Sequence, residues 1–211
     1  GSAWRSVPMA PGIPQYIADD VLVLPCGEQS SLDLIAERAS ELAAVLVEPV
    51  QSRSPGLQPR AFLERLREIT RTAGVALVFD EVITGFRIHP GGAQAWFGIQ
   101  ADLATYGKIL GGGMPIGVVA GAATYLDRID GGAWTYGDRS QPQVTKTFVA
   151  GTFCKHPLAM ASALAVLRHL KDKGPRLQQQ WNDRTARLAT ALNDVFADNG
   201  VPVATQGCGS L

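Results

Sequence analysis

The chain has 211 residues, enough for one domain or for one and part of a second, and 46% are hydrophobic, enough for a real core. Lys plus Arg and Asp plus Glu both number 19, so the net charge is zero and nothing argues for a nucleic-acid or membrane-surface partner. Cys26, Cys154 and Cys208 are far apart with no C-x-x-C spacing, which argues against a zinc site or a disulfide framework and for reduced thiols in the cytoplasm. The apolar runs are strand-length, so neither a signal peptide nor a membrane span is expected.

Residues 1–31 are rich in Pro, Gly and Ser and read as loop, broken by a short strand at Val21-Leu22-Val23-Leu24. Ser31 reads as the N-cap of a helix over about 32–41 that leads to a strand at 43–48. A helix follows at about 59–72, with Pro59 in its first turn, Phe62, Leu66, Ile69 and Ala73 at helical spacing, and Gly74 as its C-cap. Further strands are expected at 75–80, 101–105 and 116–121. Continuous apolar strands separated by amphipathic helices predict an α/β fold with a parallel sheet buried on both faces. Residues 127–151 read as a polar loop. Helices are expected at about 158–172 and 175–197, the second packing through Leu177, Trp181, Leu188, Leu192 and Val195.

In such sheets, sites gather outside the carboxyl ends of the strands, where Glu48 and Asp80 both stand. Asp80 closes the run Val75-Ala76-Leu77-Val78-Phe79. Twenty-eight positions later Lys108, one of five lysines, sits between Tyr106-Gly107 and Gly111-Gly112-Gly113. A carboxylate at a strand end and a lysine on a glycine-flanked turn suit pyridoxal phosphate (PLP). The amine links to the cofactor aldehyde, and the carboxylate keeps the ring nitrogen protonated. Burial is expected to favour the neutral amine at Lys108. Asp80-Glu81 after an apolar run also looks like a Walker B end, but no GxxxxGK[ST] loop accompanies it. Gly151-Thr152-Phe153, ahead of a helix near Pro157, offers a hydroxyl and N–H groups for a phosphate. Glu48 reads equally as a supporting acid or as a strand-end carboxylate bonded to nearby backbone. His89, His156 and His169 lack metal-ligand spacing, and no metal is assigned.

Together VLVEPVQ (45–51), LVFDEVITGFR (77–87), DLATYGKILGGGMPIG (102–117) and GTFCKHPLAMASALAVL (151–167) resemble a class III PLP-dependent aminotransferase of fold type I. The resemblance covers nearly the whole chain in consistent order. Within the family it resembles the glutamate-1-semialdehyde aminomutase branch. Within that branch it is similar to aminotransferase domains of hybrid polyketide–nonribosomal peptide synthases, through LVEPVQSRSPGLQP, PGGAQAWFG, ADLATYGK and GTFCKHPLA. The resemblance implies that residues 1–157 are the central and C-terminal part of the large PLP-binding domain and that 158–211 begin the small C-terminal domain. It also implies that Asp80 pairs with the pyridine nitrogen and that Val82 packs on one ring face. Lys108 would hold the cofactor and carry the 1,3-proton shift. Thr152 would reach the phosphate of a neighbouring subunit in a homodimer, and residues 1–14 would end a loop gating the site.

The resemblance further implies an amino-acid donor and, in the synthase branch, a β-keto acyl acceptor tethered to an acyl carrier protein. The family's phosphate loop and its second ring-stacking aromatic residue belong before residue 1. With Gly1-Ser2 at one end and Gly209-Ser210-Leu211 at the other, the chain is expected to be a fragment, inactive alone. Arg53 stands where ornithine-type members carry a glutamate, which argues against an ornithine-like substrate. The competing readings are a free-standing aminomutase or small-molecule aminotransferase, and a non-catalytic remnant.

Overall fold

The computed structural model describes residues 6–211, and four strands form one sheet in the order β1 (Ala44–Val47), β2 (Ala76–Asp80), β3 (Leu103–Tyr106) and β4 (Val118–Gly121). The helices are α1 (Gln15–Asp19), α2 (Gln29–Glu37), α3 (Arg60–Ala73), α4 (Gly92–Phe97), α5 (Ala123–Asp130), α6 (Pro157–Lys173) and α7 (Arg176–Asp198), with 3-10 turns at Ala39–Glu41 and Lys108–Gly111. β1, β2 and β3 run parallel, with Ala44 opposite Ala76 and Asp80 opposite Thr105. β4 runs antiparallel to β3, which corrects the expectation of an all-parallel sheet. The link from β3 to β4 is the short turn through Lys108 and the three glycines. It is too short for the crossover that a parallel neighbour requires.

The core lies between the sheet and α2, α3 and α4. Leu77 and Phe79 of β2 are fully buried, against Leu63 and Leu66 of α3 and Ala93 and Phe97 of α4. The opposite sheet face is open among the described residues: Leu46 is 66% exposed and Val119 52%, so the expected burial on both faces is not met. Asp102 ties α3 to the base of the sheet. Its Oδ2 accepts from Arg67 Nη1 at 2.9 Å and from the Leu77 N–H at 2.8 Å.

Local chemistry shifts several expected boundaries. α2 begins at Gln29, so Ser31 lies inside its first turn, where its buried hydroxyl donates to the Pro25 carbonyl at 2.7 Å. Pro59 sits one position before α3, and Gly74 ends that helix at φ 70°, a left-handed conformation that favours glycine. Val21–Leu24 forms no strand, because no strand lies beside it among the described residues. The short helices α1, α4 and α5 were not foreseen, and α5 takes the first residues of the expected 127–151 loop.

α6 and α7 stand close to their expected limits. The packing face of α7 differs, because its buried contacts are polar: Gln178 Nε2 donates to the Phe86 carbonyl at 3.0 Å and Asn182 Nδ2 to the Ile88 carbonyl at 2.9 Å. Leu188 and Val195, expected to pack, are 61% and 55% exposed. The resemblance of residues 1–14 to a gating loop falls partly outside the described residues. No helix among those described is long and apolar enough to cross a membrane.

The loop after β2 is organised by Glu81, which has no exposed surface. Its carboxylate accepts from the Thr84 hydroxyl at 2.9 Å, from the Ala93 N–H at 2.5 Å and from the Gln94 N–H at 3.1 Å, so it caps α4. Gly92, at φ 65°, lets the chain pass: a Cβ there would lie 2.1 Å from Glu81 Oε2. Glu81→Ala leaves three donors without this acceptor and is expected to lower stability by about 2–4 kcal/mol, measured by urea unfolding.

Candidate active site

Asp80 is the last residue of β2 and stands level with Thr105 of the adjacent β3. Its Oδ1 accepts two hydrogen bonds, from the Val82 N–H at 3.0 Å and from the Thr105 hydroxyl at 3.1 Å. Its Oδ2 takes no hydrogen bond among the described residues. One oxygen therefore fixes the carboxylate, and the other stays unpaired among the described residues. Val82 follows, half-buried, two residues beyond the strand. Its Cγ1 would lie 3.5 Å from a Cβ on Gly107. The backbone just before Lys108 thus runs against Val82. Asp80, Val82 and Lys108 gather at the carboxyl end of neighbouring strands, the place expected in an α/β sheet.

Lys108 opens the 3-10 turn after β3 at φ 43°, in the left-handed region that a lysine rarely adopts. Such a conformation costs on the order of 1–2 kcal/mol and is kept only where the surroundings impose it. Here α6 imposes it. Ser162 of α6 donates its hydroxyl to the Gly111 carbonyl at 2.7 Å, and a Cβ on Gly112 would meet Val166 at 2.7 Å and Ser162 at 2.8 Å. Lys108 is exposed, not buried as expected, and its amine makes no hydrogen bond or ion pair among the described residues. The expected site residues thus include a free amine and a carboxylate with one free oxygen on adjacent strand ends. This donor set fits PLP: an amine for its aldehyde and an anion for its ring nitrogen.

Thr152 is not joined to this group. It is exposed in the loop five residues before α6, and no hydrogen bond connects it with Asp80, Val82 or Lys108. Glu48 takes the local role: its Oε1 accepts the Ser52 N–H at 3.0 Å. Burial first, and the Glu48 carboxylate second, push the Cys26 thiol above its usual range, which makes it a poor nucleophile.

Three contributors were not recognised in the sequence. Thr105 holds Asp80, but only strand register brings the two together. Glu81 caps α4. Tyr106 stacks on Phe86 with ring centroids 5.4 Å apart and receives the Gln94 amide at 3.2 Å. Burial, and then the Glu81 carboxylate, raise its phenol above the ordinary range, against the opposing pull of Gln94, so it stays uncharged at neutral pH. Its place in the motif, directly before Gly107 and Lys108, was the one available signal for it.

The family model Aminotransferase class-III matches residues 6–211. The glutamate-1-semialdehyde 2,1-aminomutase of Aquifex aeolicus is 37% identical over 213 aligned residues, covering 100% of this chain and 47% of that protein. The chain spans about half the length of the curated relatives it matches. An omega-transaminase from Sphaerobacter thermophilus superposes with a TM-score of 0.82 at 37% identity, over 96% of this chain and 44% of that one. The beta-phenylalanine aminotransferase from Variovorax paradoxus does so with a TM-score of 0.75 at 34% identity, over 90% and 41%. With its sheet, its site residues and these similarities in view, the chain belongs to the class III aminotransferases, a PLP-dependent family of fold type I.

Proposed function

We propose that these residues form part of an aminotransferase that moves an amino group from an amino-acid donor to a β-keto acyl thioester on an acyl carrier protein. The observation that carries the general reading is the Asp80–Thr105 pairing beside the Lys108 turn, at the sheet end where a cofactor is expected. The β-keto acceptor is supported by the likeness to synthase aminotransferase domains. It is also supported by similarity to an enzyme named for beta-phenylalanine, a β-amino acid.

PLP, when bound, supplies the electron sink for the carbon that carries the amine. Asp80 Oδ2 would face the pyridine nitrogen and keep it protonated, while Oδ1 is anchored by Val82 and Thr105. Val82 would pack on one face of the cofactor ring. Lys108 Nζ would tether the cofactor and would serve as the proton-accepting base. Thr152 would donate its hydroxyl to the cofactor phosphate of a second copy in a homodimer, which fits the absence of a hydrogen bond between it and Asp80, Val82 or Lys108 among the described residues. The chain spans about half the length of the relatives it matches, so the activity proposed is that of the longer protein.

A second reading is a free-standing glutamate-1-semialdehyde 2,1-aminomutase, favoured by the 37% identity to that Aquifex enzyme. Incubating the longer protein with a carrier-bound β-keto acyl chain and an amino donor, and in parallel with glutamate-1-semialdehyde, separates the two. β-Amino acyl product is expected from the first mixture. Turnover of the semialdehyde alone would contradict the carrier-bound acceptor. Lys108→Ala is expected to abolish amino transfer, and retained turnover would overturn the role of that lysine. Asp80→Asn removes the anion facing the ring nitrogen. It is expected to lower kcat/KM by roughly 100-fold or more, read from steady-state transfer rates.

A further inference from the structure

The carboxyl ends of β1, β2 and β3 stand in one row. Val47 lies opposite Phe79 and Asp80 opposite Thr105, so the residue after β1, Glu48, comes level with both. Phe79 and Ala104 are buried in the core, and Val47 packs against it. By strand alternation Glu48, Asp80 and Thr105 turn to the opposite face, the open one on which Leu46 is exposed.

Glu48 holds the loop that follows. Its Oε1 accepts the Ser52 N–H at 3.0 Å, and the Ser54 N–H donates to the Gln51 carbonyl at 2.9 Å. Arg53 therefore sits on a tight turn hung from the same row of side chains. Pro49 and Val50, just before the turn, are fully buried. Gly56, just after it, lies against Gln206: a Cβ there would stand 2.8 Å from Gln206 Oε1. The backbone is pinned on both sides, and Arg53 is exposed between them. Adjacent strands lie about 4.8 Å apart, so the loop that carries the turn leaves the sheet one strand from Asp80 and two from Lys108.

Three permanent cations stand on the loops that leave these strand ends: Arg53 after β1, Arg87 after β2 and Lys108 after β3. Lys108 is the amine for the cofactor. Arg87 is taken up by the Ser210 carbonyl, through Nε at 3.1 Å and Nη2 at 2.7 Å. Arg53 makes no hydrogen bond or ion pair among the described residues.

We propose that Arg53 binds the carboxylate of the amino-acid donor. The inference rests on the reading of the chain as part of an aminotransferase that takes its amine from an amino acid. Such a donor carries its carboxylate on the same carbon as its amine, so an anion must be received beside the cofactor seat. A planar guanidinium receives a carboxylate through two parallel N–H···O bonds. The thioester acceptor has no charge at its reacting end. Arg53 thus acts on the donor half of the exchange and makes it selective for amino acids over simple amines.

The test uses the longer protein with PLP bound. Its best donor among the standard amino acids is compared with the amine that lacks the carboxylate. In Arg53→Ala the ratio of kcat/KM for the amino acid to kcat/KM for the amine is expected to fall about 10- to 100-fold, with Arg53→Lys in between. This ratio is independent of the fraction of the variant that folds, and an unchanged ratio would overturn the proposal. Calorimetric titration with the α-methylated donor, which has no α-hydrogen to lose, reads binding without turnover. Its Kd is expected to rise about 10- to 100-fold in Arg53→Ala, and an equal Kd in the two proteins would contradict the assignment. Weaker use of the carrier-bound acceptor with the donor spared would place Arg53 on an anion of the carrier arm and also overturn it. Product formed from the carrier-bound β-keto chain by the unsubstituted protein reads the proposed function separately, so the two fail independently.

Discussion

The site depends on the register between β2 and β3. Placing Thr105 level with Asp80 lets one hydroxyl hold one carboxylate oxygen, while the Val82 N–H holds it from its own chain. A slip of one residue would turn Asp80 to the other face of the sheet relative to Thr105 and break the bond between them. The same register fixes where β3 ends and therefore where the Lys108 turn begins.

Other contacts keep that turn and the neighbouring loop in conformations they would not hold alone. α6 packs on Gly111 and Gly112 of the turn in which Lys108 has a left-handed backbone. On the other side of the site, Phe86 is also left-handed, at φ 61°. Gln178 donates to its carbonyl, Arg87 donates to the Ser210 carbonyl at 2.7 Å, and Glu81 anchors Thr84 within the same loop. Both strained residues thus lie on loops leaving adjacent strand ends and are fastened from the C-terminal helices. The cost of strain is met by packing at a distance, as is common where a backbone must present reactive groups.

Much of this was legible in the sequence, for reasons that can be named. β1, β2 and β3 are apolar runs bounded by helices with strong periodicity, and Gly74 carries an explicit helix stop. Asp80, Val82 and Lys108 stand in motifs whose residue types suit one chemistry. Features that depend on contacts between distant segments were not legible. The reversed direction of β4 follows from the short turn before it. Thr105 and Glu81 look like ordinary strand and loop residues until register and α4 give them partners. The exposed stripe of α7 illustrates a further limit: apolar periodicity marks a face that can pack, but here Gln178 and Asn182 dock the helix through amides. Val21–Leu24 has strand composition but no strand beside it, since a strand is defined by its neighbours.

The central claim is that Asp80 and Lys108 belong to one cofactor seat at the carboxyl end of β2 and β3. The most direct measurement is to load the longer protein with PLP, reduce it with borohydride and map the modified peptide by mass spectrometry. The account predicts a single pyridoxyl group on Lys108, formed in the native protein and strongly reduced in the Asp80→Ala variant. Modification of a different lysine, or labelling of Lys108 that ignores the loss of Asp80, would contradict it.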